Sequence, residues 1–323
     1  MCVFLNSEKV TLSILITFYN QDSFIERAIN SCLNAFRTSV YSYRILVCLQ
    51  NPSSKAKEIL EKFSRELECL SYIINEPDEN LIPLSKAAVN RYKLLTLATS
   101  KYCMFLDGDD AYIDNVDNGI DTLEQNSNLD GCAYSFSLYD WSQNSLQKIK
   151  ADYEDGEVIT FESYKRYVSS NCIVFRRDAL FKKIHPIYCN DTTITRVLLY
   201  SGNGVRFFDR EILLYSVGIP SIYKGASLAE KVLSEFIVNE ENIKFFPEYK
   251  KIFLKRLKHL TKQVNLNCNG IGLSNCWRRH ILSRNLTFSK LLLASIMTRS
   301  IVVRNYYKLV LKFYIGLNRC FIS

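Results

Sequence analysis

Three carboxylates stand within four residues at Asp107-Gly108-Asp109-Asp110. They follow a wholly apolar run, Tyr102 to Leu106, which is typical of a buried strand. Adjacent carboxylates repel one another, and a bound cation removes that cost. Their hard oxygen atoms suit Mg2+ or Mn2+, which can bridge to a diphosphate. The alternative is an acidic turn that caps the next helix, because Asp is common in turns.

The elements that must position this cluster alternate along the first 110 residues. Strand-like apolar runs occupy residues 12–17, 44–49, 70–74 and 102–106, and helical patterns lie between them. Such alternation predicts a parallel sheet that is covered by helices on both faces. Ligands bind outside the carboxyl ends of the strands in these sheets, which singles out residues 18–22, 50–54 and 107–110.

Two local patterns predict finer detail. Ser23, with Glu26 three residues later, predicts a capping box at the start of the first helix. Farther along the chain, residues 205–208 and 212–217 read as two short strands, and residues 191–201 read as a helix.

The run LSILITFYN at residues 12–20, followed by FLDGDD at residues 105–110, resembles the family-2 glycosyltransferases of the GT-A fold. The stretches at residues 85–87 and 97–99 match this family too, and the resemblance covers roughly residues 10–225. It implies an α/β GT-A fold and an inverting transferase of the hexosyl or N-acetylhexosaminyl class. It also implies a nucleotide-diphospho-sugar donor, with a UDP-sugar favoured, and Mn2+ or Mg2+ as cofactor.

The same resemblance assigns nucleotide-binding residues. Thr17, Tyr19 and Asn20 match the first-strand motif that holds the nucleotide, and Arg91 matches an arginine that approaches the nucleotide-sugar. A solvated helix charge is the alternative for Arg91. The family's second strand usually ends in Asp-Asp-Gly-Ser, whose acid recognises the base. This chain has Gln50-Asn51-Pro52-Ser53 there, so an amide contact from Gln50 is expected and the base is left open.

The resemblance also divides the acidic residues by role. It places Asp107 near the ribose and the metal, makes Asp109 the principal metal ligand, and leaves Asp110 to support the loop or the sugar. An inverting transfer needs a general base for the acceptor hydroxyl. Asp191 is the expected base, because Asn190-Asp191 opens a helical pattern where the family usually has Glu-Asp. The alternative for Asp191 is a plain helix N-cap.

Charge is segregated along the chain, whose net charge is +8. Residues 249–323 hold 15 Lys and Arg and no Asp or Glu, whereas the preceding residues hold 26 basic and 33 acidic ones. The longest uncharged run in the most apolar part of this tail, Leu291 to Thr298, is too short to span a bilayer. The pattern predicts a basic amphipathic helical tail that binds an anionic membrane surface.

The sequence therefore predicts a GT-A domain at residues 1–225 and a helical extension at residues 226–323. The nucleotide-binding half is expected at about residues 10–112 and the acceptor half at residues 113–225.

Composition bounds the cellular setting. The 11 cysteines are scattered without a Cys-x-x-Cys pair and there are three histidines, which argues against a zinc site or a disulfide framework. Scattered cysteines suit a reducing compartment, and residues 1–9 do not read as a secretory signal. We therefore expect a cytoplasmic protein on the inner face of the membrane.

The expected function is sugar transfer to a glycan acceptor, which can be lipid-linked, in surface polysaccharide synthesis such as that of O-antigen or capsule. One alternative is a catalytically silent nucleotide-sugar binder. Another is a nucleic-acid-binding protein that uses the basic tail, but no nucleic-acid module signature occurs, so no nucleic acid partner is expected.

Overall fold

The computed structural model describes residues 10–19, 22–76, 83–165, 168–184, 186, 189–200 and 203–219, and eight isolated positions between 237 and 257. The chain divides into two compact units, Met1–Pro77 with Ser85–Ile219, and Asp78–Leu84 with Pro220–Ser323. The domain boundaries expected at residues 112 and 225 stay predictions. The expected basic helical tail lies almost wholly outside the described residues.

The first half of the larger unit alternates strands and helices, as the sequence predicts. The strands are β1 (Leu12–Tyr19), β2 (Tyr43–Gln50), β3 (Leu70–Asn75) and β4 (Tyr102–Asp107). The helices are α1 (Ile25–Ala35), α2 (Ser54–Glu66) and α3 (Pro83–Leu97). The four strands run parallel to one another in the order β3-β2-β1-β4.

The second half adds six strands and three helices in the described part of the chain. The strands are β5 (Ala111–Tyr112), β6 (Gly131–Asp140), β7 (Ser145–Lys148), β8 (Val158–Ile159), β9 (Ile173–Arg176) and β10 (Val205–Val217). The helices are α4 (Asp117–Gln125), α5 (Arg177–Phe181) and α6 (Asp191–Tyr200). Together the described strands form one sheet in the order β3-β2-β1-β4-β9-β6-β10-β5, with β7 on β6 and β8 on β10.

Burial on both faces of the central strands explains why their sequences are continuously apolar. Residues 12–18 of β1 and 102–106 of β4 are all buried, and Ile25, Ala28 and Ile29 of α1 join the same hydrophobic core. A strand covered on both faces gains nothing from alternating polarity. The result is an α/β fold with a mainly parallel central sheet and flanking helices, as expected.

Two local predictions are wrong. A short 3-10 turn, Asp22–Phe24, leads into α1, and no side chain caps the helix, so the Ser23–Glu26 capping box does not form. The two short strands expected at 205–208 and 212–217 are one strand, β10, whose pairing with β6 shifts register between Phe208 and Leu213. The bulge interrupts the sequence pattern but not the strand.

No helix in the described part of the chain is long and apolar enough to cross a membrane.

Candidate active site

The carboxyl ends of β1 and β4 bring the first two groups of predicted site residues together. Thr17 of β1 lies opposite Asp107 of β4 in the parallel register. The chain then turns tightly, since the amide of Gly108 donates to the carbonyl of Thr17 at 3.0 Å and that of Asp110 donates to the carbonyl of Asp107 at 2.9 Å. The acidic cluster therefore lies at the edge of the sheet where a ligand is expected.

Gly108 is required because the ring of Phe18 lies directly against it. A Cβ atom at position 108 would lie 2.2 Å from Cδ1 of Phe18, whose side chain is buried in the core. The glycine lets the acidic turn sit closely on the end of β1.

We expect Gly108→Ala to lower the free energy of unfolding by about 1–3 kcal/mol, because the added methyl overpacks a filled core. Chemical denaturation would measure the change. A variant as stable as the wild type would show that the turn and Phe18 can separate at no cost.

Asp110 supports the turn from inside. Its Oδ1 accepts from the amide of Ser216 at 2.8 Å, and its Oδ2 accepts from Nδ2 of Asn171 at 2.9 Å. Burial raises the pKa of Asp110 well above its ordinary value, and the nearby Asp109 and Asp107 raise it further. With both oxygens bound by protein groups, Asp110 holds the loop, and Asp107 and Asp109 are the carboxylates of the cluster that are only partly buried.

Arg27 of α1 fixes the loop from the other side. Its guanidinium donates to the carbonyl of Asp109 at 2.7 Å and to Oγ of Ser216 at 2.9 Å. The hydroxyl of Ser216 also donates to that carbonyl. The backbone at Asp109 is thus held by two elements far from it in sequence.

Arg91 of α3 contacts two of the predicted site carboxylates. One guanidinium nitrogen, Nη2, contacts Oδ1 of Asp107 and also lies 2.9 Å from Oδ1 of Asp191. The Arg91 side chain is only 8% exposed, so it is not a solvated helix charge. Burial alone would lower the pKa of Arg91, but the two carboxylates more than offset this, so the pKa lies above its usual value.

Asp191 is the first residue of α6 but does not cap it. Oδ1 of Asn190 accepts from the amide of Thr193 at 3.0 Å and supplies the cap. The Asp191 carboxylate instead accepts from Oγ of Ser170 at 3.0 Å and pairs with Arg91. Burial raises the pKa of Asp191, opposed by Arg91 and assisted by the charge of Asp107.

Gln50, at the end of β2, is buried in a row of amides. Its Oε1 accepts from Nδ2 of Asn90 at 2.9 Å, and Oδ1 of Asn90 accepts from Nδ2 of Asn75 at 2.5 Å. Lys93 donates to Oδ1 of Asn75 at the far end. Because a lysine can only donate, it sets the direction of every amide in the row, and Gln50 uses its oxygen inside the protein.

The remaining predicted nucleotide contacts lie on β1. Thr17 is buried near its end, and Tyr19 is its last residue, paired in register with Gln50. Asn20 lies outside the described residues. Of the predicted site residues, the structure brings Arg91, Asp107 and Asp191 into direct contact.

Sequence reasoning missed Arg27, Ser216 and the roles of Ser170 and Asn171. Ser170 and Asn171 stand in a short polar stretch directly before β9, which is a weak signal. The sequence around Arg27 and Ser216 gives no such signal, because their partners in the acidic turn lie 82 and 106 residues away along the chain.

Among the residues that the structure describes, no group of three or more His, Cys, Asp or Glu side chains is arranged to hold a metal ion alone. Asp107 and Asp109 still offer hard oxygen donors at the edge of the site. Mg2+ in particular is commonly bound by one or two carboxylates, with water and substrate phosphate completing its shell. The donor set therefore fits a cation that arrives with a diphosphate.

Comparisons with known proteins agree with this arrangement. The mainly parallel central sheet with flanking helices is the GT-A type of α/β fold. Residues 13–183, slightly more than half of the chain, match the sequence profile of glycosyl transferase family 2. The chain belongs to this family and is a glycosyltransferase by that membership.

Solved structures show the same fold. The chain is similar to residues 1–349 of S. aureus TarS in complex with UDP-GlcNAc, with a TM-score of 0.61 and 12% identity over 96% of this chain and 92% of that one. The complex of the same protein with UDP gives a TM-score of 0.59 and 12% identity over 94% and 88% of the two chains. A search of curated protein sequences found no significant match.

Proposed function

We propose that this protein transfers a sugar from a UDP-sugar to a hydroxyl of a glycan acceptor with inversion, in the synthesis of a surface polysaccharide. The observation that carries the proposal is that Asp107 and Asp191 meet at one nitrogen of Arg91. Asp107, at the end of β4, and Asp191, the carboxylate proposed as base, thus lie on the same guanidinium group. The TarS complexes with UDP and UDP-GlcNAc support a UDP-sugar as donor.

In this proposal Asp191 takes the proton of the acceptor hydroxyl. Its partly buried position raises its pKa and thereby makes the carboxylate a stronger base than a fully exposed one. Ser170 and Arg91 hold the carboxylate in place, and Asn190, rather than Asp191, supplies the cap of α6. Because the ionised form is the active one, transfer falls as pH falls through this raised pKa.

Asp107 and Asp109 are proposed as the ligands of Mn2+ or Mg2+. A cation there neutralises charge on the departing nucleoside diphosphate. Thr17, Tyr19, Asn20 and Gln50 remain the proposed nucleotide contacts, with Arg91 beside them. Residues 249–323 remain the proposed contact with an anionic membrane surface on the cytoplasmic side, and transfer of a hexosyl or N-acetylhexosaminyl group remains the proposed class.

We expect UDP-GlcNAc to stabilise the wild-type protein by about 2.7 kcal/mol at 100 times its dissociation constant when Mn2+ is present. Most of that gain should disappear with EDTA and in Asp109→Asn, because the diphosphate then loses its cation. Thermal unfolding with Mn2+, Mg2+ or EDTA would measure it, together with UDP release with and without acceptor.

Asp178→Asn is a matched control, since Asp178 is an exposed carboxylate paired with Lys182 on the surface. Equal stabilisation with and without EDTA would contradict the metal proposal. UDP binding without turnover of any donor would favour the silent nucleotide-sugar binder.

A further inference from the structure

Trp141 follows β6 in a tightly held turn and keeps 39% of its surface exposed. Oδ1 of Asp140 accepts from the amide of Ser142 at 2.8 Å and from its hydroxyl at 2.6 Å. The amide of Trp141 donates to the carbonyl of Val217 at 3.0 Å. Gly218 lies so close that a Cβ atom there would be 2.4 Å from Oδ1 of Asp140. The exposed indole is therefore carried by a fixed backbone.

Three side chains also fix the orientation of the ring. The guanidinium carbon of Arg27 lies over it, 4.6 Å from its centroid. The rings of Tyr139 and Phe24 meet it in edge contacts at centroid distances of 4.9 and 5.7 Å. The ring thus presents its remaining surface to solvent in one orientation.

Arg27 connects this ring to the acidic turn. The guanidinium that covers Trp141 also donates to the carbonyl of Asp109 at 2.7 Å. These contacts place the indole centroid within about 9 Å of that oxygen. A rigid, partly exposed aromatic ring therefore lies near the turn that carries Asp107 and Asp109, the proposed ligands of the cation that binds the diphosphate.

We propose that Trp141 is a stacking platform for a sugar ring of the glycan acceptor, an inference that rests on the proposed function. A pyranose has an apolar C–H face and a rim of hydroxyls, and an aromatic ring offers a flat apolar surface with a negative face. Trp141 is flanked by the exposed polar side chains of Ser142 and Gln143, which suit such a rim. A protein partner would need about 800 Å² of contact surface, far more than the exposed part of one aromatic ring offers.

The chain contains two tryptophans, so Trp277→Phe leaves Trp141 as the single indole reporter. We expect its emission to change saturably when at least one of maltotetraose, cellotetraose or chitotetraose is added. The complementary variant Trp141→Phe, which keeps Trp277, should not respond. Absence of a saturable change with all three sugars, or an equal change in both variants, would overturn the inference.

Kinetics give a second readout that separates stacking from support of Arg27. We expect Trp141→Ala to raise the KM for whichever of the three tetrasaccharides serves as acceptor roughly tenfold. The affinity for UDP and the rate of UDP-GlcNAc hydrolysis should stay within about twofold of the wild-type values. Leu146→Ala is the control, because Leu146 is 62% exposed on β7 opposite Tyr139 and should leave both steps unchanged.

Equal loss of UDP binding and transfer in Trp141→Ala would overturn the platform and leave Trp141 as a support for Arg27. Failure of the wild type to bind or hydrolyse any UDP-sugar would instead refute the proposed function. The sugar response of Trp141 is read without turnover, so the two failures can be told apart.

Discussion

Asp191→Asn is expected to lower the rate of sugar transfer about a thousandfold, because an amide cannot take the proton of the acceptor hydroxyl. UDP-GlcNAc binding should change little, since the amide oxygen can still accept from Ser170 and α6 keeps the cap that Asn190 provides. Steady-state kinetics would measure the transfer rate, and titration with UDP-GlcNAc would measure its dissociation constant.

A control variant and a pH–rate profile test whether this loss is specific to Asp191. Asp178→Asn removes a surface carboxylate at the start of α5 and should leave the rate unchanged. In the wild type, the acid limb of the pH–rate profile should lie above the ordinary carboxyl range, because burial raises the pKa of Asp191. Transfer that survives in Asp191→Asn, or an unshifted limb, would assign the proton to another group.

The sequence was a good guide wherever local pattern determines structure. The buried runs of β1 and β4 are apolar because both faces are covered, and Thr17 and Asp107 lie near the ends of these strands, as predicted. Asp191 was also placed correctly at a helix start, but only the structure shows that Asn190 does the capping. That detail matters because it frees the carboxylate for Arg91.

The parts that sequence could not give are contacts between distant segments. Ser23 and Glu26 have the spacing of a capping box, yet the chain enters α1 through a 3-10 turn that the spacing does not encode. Arg27, Ser216 and Asn171 hold the acidic turn through contacts that span 61 to 107 residues. No periodicity within one segment reports such pairs.

These distant contacts give the site two kinds of carboxylate. Asp110 is enclosed by Ser216 and Asn171, whereas Asp107 and Asp191 share one guanidinium and remain partly open. The positive charge of Arg91 offsets the repulsion between these two carboxylates, which would otherwise destabilise the fold. Its removal should therefore affect stability as well as binding.

Arg91→Met is expected to lower the free energy of unfolding by about 3 kcal/mol near pH 8, because it leaves carboxylates facing one another without a cation. The pKa of Asp191 is already raised by burial and should rise further in the variant. A carboxyl whose pKa is higher in the folded than in the unfolded chain destabilises the fold above its unfolded pKa. That penalty is relieved as pH falls through the folded pKa.

The difference between Arg91→Met and the wild type should therefore be smaller at pH 5 than at pH 8, measured by urea denaturation in EDTA. Arg91→Lys keeps the charge and should lose less. Arg65→Met breaks an exposed pair in which the Arg65 and Glu61 side chains are 77% and 50% exposed. Its cost should stay at about 0.5 kcal/mol or less, since water screens it. A loss for Arg91→Met that does not depend on pH would mean that packing, rather than the two carboxylates, sets the cost.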